Sequence, residues 1–463
     1  MASDQSGDSE RNRFSGRAAR YARVGTGMSG VAAKMIGARF FGMDLQRDAH
    51  AGELAAALGN LKGPLMKVAQ LLSTIPDALP PEYAAELATL QSDAPPMGWA
   101  FVKRRMAAEL GADWQKKFAS FEHEPAAAAS LGQVHRAVGH DGLRLACKLQ
   151  YPNMDSAVEA DLKQLSWIFS IHRRMSPALD TSQIAREIGE RLREELDYKR
   201  EAQAARLYQS VLSEEAGIVV PDVHDALSTR RLLSMTWLDG RRLLDFRDHS
   251  LEDRNRLAET MFRAWWRPFA RVGVIHGDPH LGNYTVYEED GRPAGINLLD
   301  YGCIRIFPPG FINGVLELYQ GLATDDRDRI VAAYERWGFK GLSNDLIDVL
   351  NIWARFIYGP LLDDRVRTIA DGTKPGEYGR REAFSVHQAL KEKGPVTVPR
   401  ELVFMDRAAN GLGSVFLHLN AELNFYELFQ SAIDGVDEAG IARRQSAALA
   451  EAGLPEPDAG VAA

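Results

Sequence analysis

The chain has 463 residues, 45% of them hydrophobic and 25% charged, and its 55 lysines and arginines face 63 acids for a formal net charge of −8. Such a composition argues against disorder outside the ends, and the acidic balance argues against a nucleic-acid binder that relies on a broad cationic surface. Only Cys147 and Cys303 carry thiols, which leaves no disulfide framework and no cysteine zinc site and points to a reducing compartment.

The first ten residues carry Asp4, Asp8 and Glu10 and no apolar core, so they do not read as a secretory signal. No uninterrupted apolar run reaches the ~18 residues a spanning helix needs. A cytoplasmic protein is expected, one that meets a membrane from its surface if at all. The stretch from Arg11 to Phe41 holds Arg13, Arg17, Arg20, Arg23, Lys34 and Arg39 and no acid, interleaved with Val31, Met35, Ile36 and Phe40. It fits a basic amphipathic helix on an anionic leaflet; its glycines favour the plainer reading of a solvated arm or a helix docked on the acidic body.

Helical patterns follow over Ala49–Asn60, from Pro64, from Pro81 to Leu90 and over Trp99–Leu110, with Pro95-Pro96 as a break. In the run Leu65–Leu72 only Lys67 and Gln70 are polar, and three positions apart they share a face. Near Phe118 the texture changes to short strands. Gln133–Val138 and Leu143–Gln150 flank Gly139-His140-Asp141-Gly142 as a hairpin. Just before it, Ala126, Ala127, Ala128, Ala129 and Ser130 form an alanine-rich loop, stiffer at the backbone than a glycine loop. Lys148 sits in Leu145-Ala146-Cys147-Lys148-Leu149, where an inward lysine needs an anion; a strand-end lysine facing water is the alternative.

Thr181 to Val211 reads as one long helix, with Glu187, Glu190, Glu194, Asp197 and Glu201 as an acidic stripe beside Ile184, Ile188, Leu192 and Leu196. Val219-Val220 and Leu232–Trp237 read as strands, the second running into a turn at Leu238. From Leu251 onward helices dominate, interrupted by a catalytic segment and a hairpin turning at Asp290-Gly291. The expected organisation is a basic arm (1–47), a helical extension (48–117), a strand lobe (118–238), a helical lobe (239–437) and an alanine-rich tail (438–463), disordered near its end.

The interrupting segment is His276-Gly277-Asp278-Pro279-His280-Leu281-Gly282-Asn283, followed by Asp300-Tyr301-Gly302. Phosphoryl transfer from Mg·ATP needs a carboxylate near the attacking group, with amide and carboxylate oxygens to hold the metal against the phosphates. Asp278 and Asn283 have the spacing of the Asp and Asn of a protein-kinase catalytic loop, and Asp300-Tyr301-Gly302 is a variant of Asp-Phe-Gly.

Lys67-Val68-Ala69-Gln70, the alanine loop, Lys148, the stretch Glu195–Ala202 and the two catalytic motifs stand in an order that resembles the UbiB-type atypical kinases, also called the AarF or activity-of-bc1-complex family, over roughly residues 20 to 435. The resemblance implies an α+β, protein-kinase-like two-lobe fold: a small antiparallel β lobe, a large helical lobe and an N-terminal helical extension packed over the cleft. It makes Lys148 the phosphate-binding lysine with Glu201 as helix partner, and pairs Glu195 with Lys67 in a gate completed by Gln70. Asp278 becomes the catalytic carboxylate, and Asn283 and Asp300 the Mg2+ ligands. The alanine loop from Ala126 to Ser130 would cover the ATP phosphates, while Met235, Trp237 and Leu238 line the adenine. Two departures stand out, Ala69 in place of the family glycine and Leu281 in place of a proline. The family's link is to ubiquinone biosynthesis, with ATPase or small-molecule and lipid kinase activity.

Three rivals remain at this stage. An aminoglycoside- or choline-kinase-like phosphotransferase shares His-Gly-Asp but leaves Lys67, Gln70 and the alanine loop unexplained. A metal hydrolase would use His276, Asp278 and His280 as ligands. A pseudokinase would bind nucleotide and act as a scaffold. Cys147 and Cys303 adjoin motif residues, which invites a redox reading, although buried packing is the commoner role of a free cysteine.

Overall fold

The computed structural model describes residues 97–371 and 400–457, apart from Ser130, Ala160, Asp161, residues 164–188, Arg191, Pro279 and Lys340. The basic arm, Lys67, Gln70 and Ser130 lie outside the described residues. In chain order the elements are α1 (Trp99–Leu110), β1 (Ser120–Phe121), β2 (Ala127–Ala129), β3 (Gly132–Val138), β4 (Arg144–Gln150), α2 (Tyr198–Leu212), β5 (Ile218–Val219), β6 (Leu232–Thr236) and β7 (Arg241–Arg242). There follow α3 (Leu251–Val272), β8 (Val274–His276), β9 (Tyr284–Glu289), β10 (Arg292–Leu298), β11 (Ile304–Ile306), α4 (Pro309–Thr324), α5 (Arg327–Arg336), α6 (Asn344–Leu362), α7 (Arg400–Leu419), α8 (Phe425–Ile433) and α9 (Glu438–Ala452). They divide into two compact units, one taking the chain up to Lys199 with His224–Trp237, the other Arg200–Val223 with the chain from Leu238. Among the described residues no helix is long and apolar enough to cross a membrane.

In the first unit, period-two alternation builds an antiparallel sheet in the order β1-β3-β4-β6, with β2 also paired to β3. Leu145, Cys147 and Leu149 of β4 point to one face, where Val102 and Met106 of α1 join Trp114, Phe118, Ala137 and Leu232 in a core. Ala146 and Lys148 take the opposite face. Gly111 ends α1 with its N–H on Ala107. Buried Arg105 ties the helix to the end of β4 by donating to the carbonyls of Gln150 and Tyr151, both at 3.2 Å.

A buried polar network crosses the same core. Gln133 clamps the backbone of Met97 through both ends of its amide, at 2.6 and 3.3 Å, and lies 2.7 Å from Nε2 of His135. Nδ1 of His135 faces the Glu122 carbonyl at 2.9 Å. A carbonyl can only accept, so Nδ1 carries the proton and Nε2 accepts from Gln133: the neutral ring satisfies every partner.

The second unit is organised on α3. Ser250 caps it by accepting from Asp253 N–H at 3.1 Å, and Leu257, Met261, Phe262, Trp265 and Phe269 form its buried stripe. Gly273 ends it in the left-handed region at φ 66°. A Cβ there would also lie 2.7 Å from Gln445 Nε2 and 2.9 Å from the Phe307 carbonyl, so both backbone angle and space demand glycine. A four-stranded sheet follows in the order β5-β10-β9-β7, with β5 parallel to β10 and the β9–β10 hairpin turning at Asp290 and Gly291, both at positive φ. The short ribbon β8–β11 pairs His276 with Ile304. Helices α4 to α9 complete one continuous apolar core.

Three expectations change. The long helix over Thr181–Val211 is interrupted at Leu196 and Asp197; the Asp197 carboxylate accepts from Lys199 N–H at 3.1 Å and so starts α2 afresh. Glu201 is consequently not part of a solvated acidic stripe but only 3% exposed. Residues 200–223 group with the helical unit, because β5 pairs with β10. The alanine-rich stretch read as a tail forms α9, capped by Asp437 and closed by Gly453.

Burial holds His135 below its ordinary value of 6.5, against opposing pulls from the Glu122 backbone and the Glu124 charge. The folded protein therefore takes up this proton less readily than the unfolded chain. Its contribution is complete above pH 6.5 and declines as pH falls through the lowered folded value. His135→Gln, which retains a donor and an acceptor but does not titrate, is expected to cost about 1 kcal/mol at neutral pH and to show a shallower acid decline in urea unfolding. Equal acid declines in the two proteins would remove His135 as a source of pH dependence.

Candidate active site

The helical unit builds its site from the end of α3 outward. Strand β8 is buried throughout and delivers His276, whose carbonyl accepts from Trp265 Nε1 at 3.1 Å. Nε2 of the His276 ring faces the Asp300 carbonyl at 2.8 Å, while Nδ1 accepts from Asp278 N–H at 3.1 Å. Those partners fix the tautomer with the proton on Nε2. One imidazole thus joins the two acidic motifs through their backbones. The Gly277 N–H meets the Cys303 carbonyl at 2.9 Å and reinforces the joint.

Asn283 closes the loop from the other side. It follows a short turn capped by His280, whose Nδ1 accepts from Gly282 N–H at 3.1 Å. Its Nδ2 donates to the Asp278 carbonyl at 2.8 Å, which turns the amide oxygen the opposite way, and its own carbonyl accepts from Leu299 N–H at 2.8 Å. Asp300 Oδ1 accepts from Gly302 N–H at 3.1 Å. A Cβ on Gly302 would stand 3.4 Å from Asp300 Oδ1 and 3.7 Å from Glu201 Oε2, so both carboxylates lie against this one glycine. Glu201 is buried and Asp300 half-buried, and both carboxylates contribute a negative field to this region.

The same field bears on the neighbouring phenols. Burial raises Tyr301 well above its ordinary value, with further contributions from Tyr208, Asp300 and Glu201; burial followed by the Asp278 charge raises Tyr284. These phenols stay protonated, and Tyr301 spends its proton on the Leu298 carbonyl at 2.7 Å. Tyr208 packs against Tyr301 with ring centroids 5.6 Å apart.

The first unit carries the other expected residues. Lys148 lies half-buried on β4, paired in register with Val134 and Leu233, its ammonium 5.3 Å above the Tyr198 ring. Ala127, Ala128 and Ala129 are a paired strand rather than an open loop, and Ala126 N–H is spent on the Val134 carbonyl at 2.8 Å. Gly132 approaches the Leu149 carbonyl so closely that any side chain would force β3 from β4. Met235 is paired with Ala146, and the Trp237 N–H is committed to the Arg144 carbonyl at 2.8 Å, which removes that donor from any adenine contact. Leu238 falls in the second unit, and Glu195 lies half-buried in the helical turn before the Leu196 break.

A family profile described as the ABC1 atypical kinase-like domain matches residues 89–334, more than half of the chain. The chain belongs to the ABC1 atypical kinase-like family. Similar curated proteins include the atypical kinase COQ8, mitochondrial, of Saccharomyces cerevisiae, 30% identical over 266 residues that make up 57% of this chain and 52% of that protein. The AarF domain-containing protein kinase 1 of Xenopus laevis is 29% identical over 280 residues, 60% of this chain and 54% of that protein. The chain thus spans about half the length of these relatives. Among solved structures, that described as the complex of Rv3197 with erythromycin from Mycobacterium tuberculosis matches with TM-score 0.60 and 28% identity, covering 84% of this chain and 97% of that one. The fold class is α+β and kinase-like, as the resemblance implied.

Membership of the ABC1 family displaces the choline-kinase-like reading. The metal-hydrolase reading loses its ligand, since both His276 nitrogens are spent within the loop. Among the described residues no group of three or more His, Cys, Asp or Glu side chains is arranged to hold a metal. Both cysteines are buried and neither forms a disulfide, and burial pushes the Cys147 thiol up to about 12, which suits packing rather than redox chemistry. One residue escaped the sequence reading. Asn297, 2% exposed, donates to the Asp239 carbonyl at 2.9 Å and to Thr285 Oγ1 at 3.0 Å, pinning the chain leaving β6 to the β9–β10 hairpin. An amide amid Ile296, Leu298 and Leu299 was its signal.

His276→Leu is expected to destabilise the ABC1 protein by about 2–4 kcal/mol, because the Asp300 carbonyl and the Asp278 N–H lose their partner together. Chemical denaturation measures the loss; a variant as stable as the parent would show that the imidazole is dispensable.

Proposed function

We propose that this ABC1-family protein binds Mg·ATP and transfers the terminal phosphoryl group to water or to a small, lipid-like acceptor, in support of isoprenoid quinone biosynthesis. The observation that carries the reading is the convergence of Glu201 and Asp300 on Gly302, on the same braced loop system that presents Asp278 and Asn283. The donor set fits magnesium. Asp300 and Asn283 offer hard oxygens, and a magnesium site takes one or two protein ligands with phosphate and water completing the shell. Bound there, the ion would neutralise charge on the phosphates.

Every other role falls to the chain. Asp278 orients a hydroxyl or water and accepts its proton as the new O–P bond forms and the bond to the β-phosphate oxygen breaks, releasing ADP. Lys148 supplies a positive charge to the phosphates, and Glu201 adds a carboxylate beside Gly302. Lys67 and Gln70, with Glu195, gate access, which favours a small acceptor over a peptide. The His276 bonds keep Asp278 and Asp300 in fixed relation, so catalysis comes from positioning and electrostatics.

The helical unit also holds a small apolar cavity of about 110 Å³, lined by Trp266, Leu318, Trp353, Ile357, Met405 and Phe416 among others, with room for a short hydrocarbon group only. Its tyrosines Tyr334 and Tyr358 spend their hydroxyls on Asn351 and on the Val315 carbonyl. The basic stretch from Arg11 to Arg39 would bring the protein to an anionic leaflet, where a lipid-like acceptor resides.

Phosphate release from ATP by the purified full chain tests the proposal. Asp278→Asn and Asp300→Asn are each expected to lower turnover at least about a hundredfold, the second also abolishing the magnesium-dependent part of the ATP thermal shift. Tight nucleotide binding without phosphate release, under every lipid and phenolic quinone-precursor condition, would favour the scaffold reading instead.

A further inference from the structure

The C-terminal helix α9 lies beyond residue 334, where the match to the ABC1 profile ends. It nonetheless touches both groups of elements that carry the site's carboxylates. Gln445, 3% exposed on α9, donates through one amide nitrogen to the Val272 carbonyl at 2.7 Å and to the Phe307 carbonyl at 2.9 Å. Val272 is the last residue of α3, immediately before Gly273 and β8; Phe307 follows β11 and donates its N–H to the Gly273 carbonyl at 2.8 Å. One side chain therefore closes the base of the β8–β11 ribbon. The opposite end of that ribbon carries His276, with Asp278 and Asp300 beyond it.

The other end of α9 meets α2. Gly453, its left-handed closing residue, offers its carbonyl to Gln203 Nε2 at 2.8 Å, and Gln203 stands two residues after Glu201. Leu454, 6% exposed, anchors that end in the common core. The helix thus bridges the segment bearing Glu201 and the ribbon bearing Asp278 and Asp300. A leucine would fill the position of Gln445 with less desolvation, so a buried amide there is matched to two carbonyls that need a donor.

We infer that α9 is a positioning strut for the catalytic carboxylates, with Gln445 and Gln203 as its positioning residues at the two ends. The inference rests on the proposed ATP turnover for its kinetic consequence, but its structural consequence does not. With Gln445 or Gln203 removed, α2 and the ribbon are coupled only through the shared core and the Tyr208–Tyr301 packing, and the placement of Glu201 against Asp300 loosens. Turnover falls while metal-free nucleotide binding is retained, because the latter does not require the carboxylates to converge.

The test uses the full chain with Gln445→Leu, Gln203→Ala and the double variant. Gln203 is on the surface end of the contact, so its variant folds even where Gln445→Leu does not. Hydrogen exchange of residues 276–302 is expected to accelerate in both single variants. With ATP, kcat is expected to drop about tenfold in Gln445→Leu and about threefold in Gln203→Ala, with unchanged metal-free nucleotide affinity. The double variant should lose no more than Gln445→Leu alone, since both changes break one strut. Faster exchange in a protein whose parent shows no ATP turnover would sink the proposed function and keep the strut. Parental kcat and parental exchange in Gln203→Ala, or independent multiplicative losses in the double variant, would overturn the strut.

Discussion

The site depends on a neutral imidazole used as a backbone splint. His276 accepts from Asp278 N–H and donates to the Asp300 carbonyl, so two acidic motifs separated by a hairpin are held by a single ring. Direct side-chain contact between the acids would be repulsive, and a flexible linker would leave each free to turn toward solvent. Bonding their backbones through an uncharged heterocycle avoids both outcomes and leaves the carboxylates to other partners. The ring is itself held by what surrounds it, with the Trp265 indole donating to its carbonyl and Tyr208 packing nearby. Burial of α3 and burial of the site are therefore one energetic event.

Negative charge is concentrated in the same place, and the fold compensates by removing alternatives. Leu196 and Asp197 interrupt the helical run, and α2 restarts so that Glu201 enters the core while the more exposed Lys199 and Arg200 do not. Tyr208 and Tyr301 line this region with phenols that burial keeps protonated, so they add no charge of their own. The carboxylates of Glu201 and Asp300 both border Gly302, at ordinary contact distance from where a Cβ would stand.

Motifs of fixed local spacing were legible in the sequence; pairings between distant residues were not. The hairpin around Gly139–Gly142, helix α1 and the β9–β10 turn at Asp290-Gly291 follow from alternation and turn chemistry, which act over a few residues. The pairing of β5 with β10 depends on contacts about eighty positions apart, and no periodicity within Ile218-Val219 announces it. The break at Leu196 was hidden because Asp197 fits an acidic stripe as readily as it caps a new helix. The docking of α9 was hidden for a related reason: its alanine-rich pattern specifies a helix, but what it docks against shows only in distant contacts such as those of Gln445 and Gly453.

The alanine stretch shows how one local substitution of residue type redistributes the chemistry. A glycine loop can turn successive N–H groups toward phosphates, whereas Ala127–Ala129 pair with β3 and Ala126 N–H is already bonded to Val134. Main-chain donors spent in a sheet cannot also cradle a triphosphate. Under the proposed function, charge compensation for the phosphates would then have to come from side chains or a cation rather than from these main-chain donors. Backbone dipoles are permanent features of a fold, while a metal is exchangeable and a lysine can be gated. Phosphate affinity obtained that way would depend on metal supply and on the side chains available, which makes the paired alanine strand a constraint on the proposed mechanism.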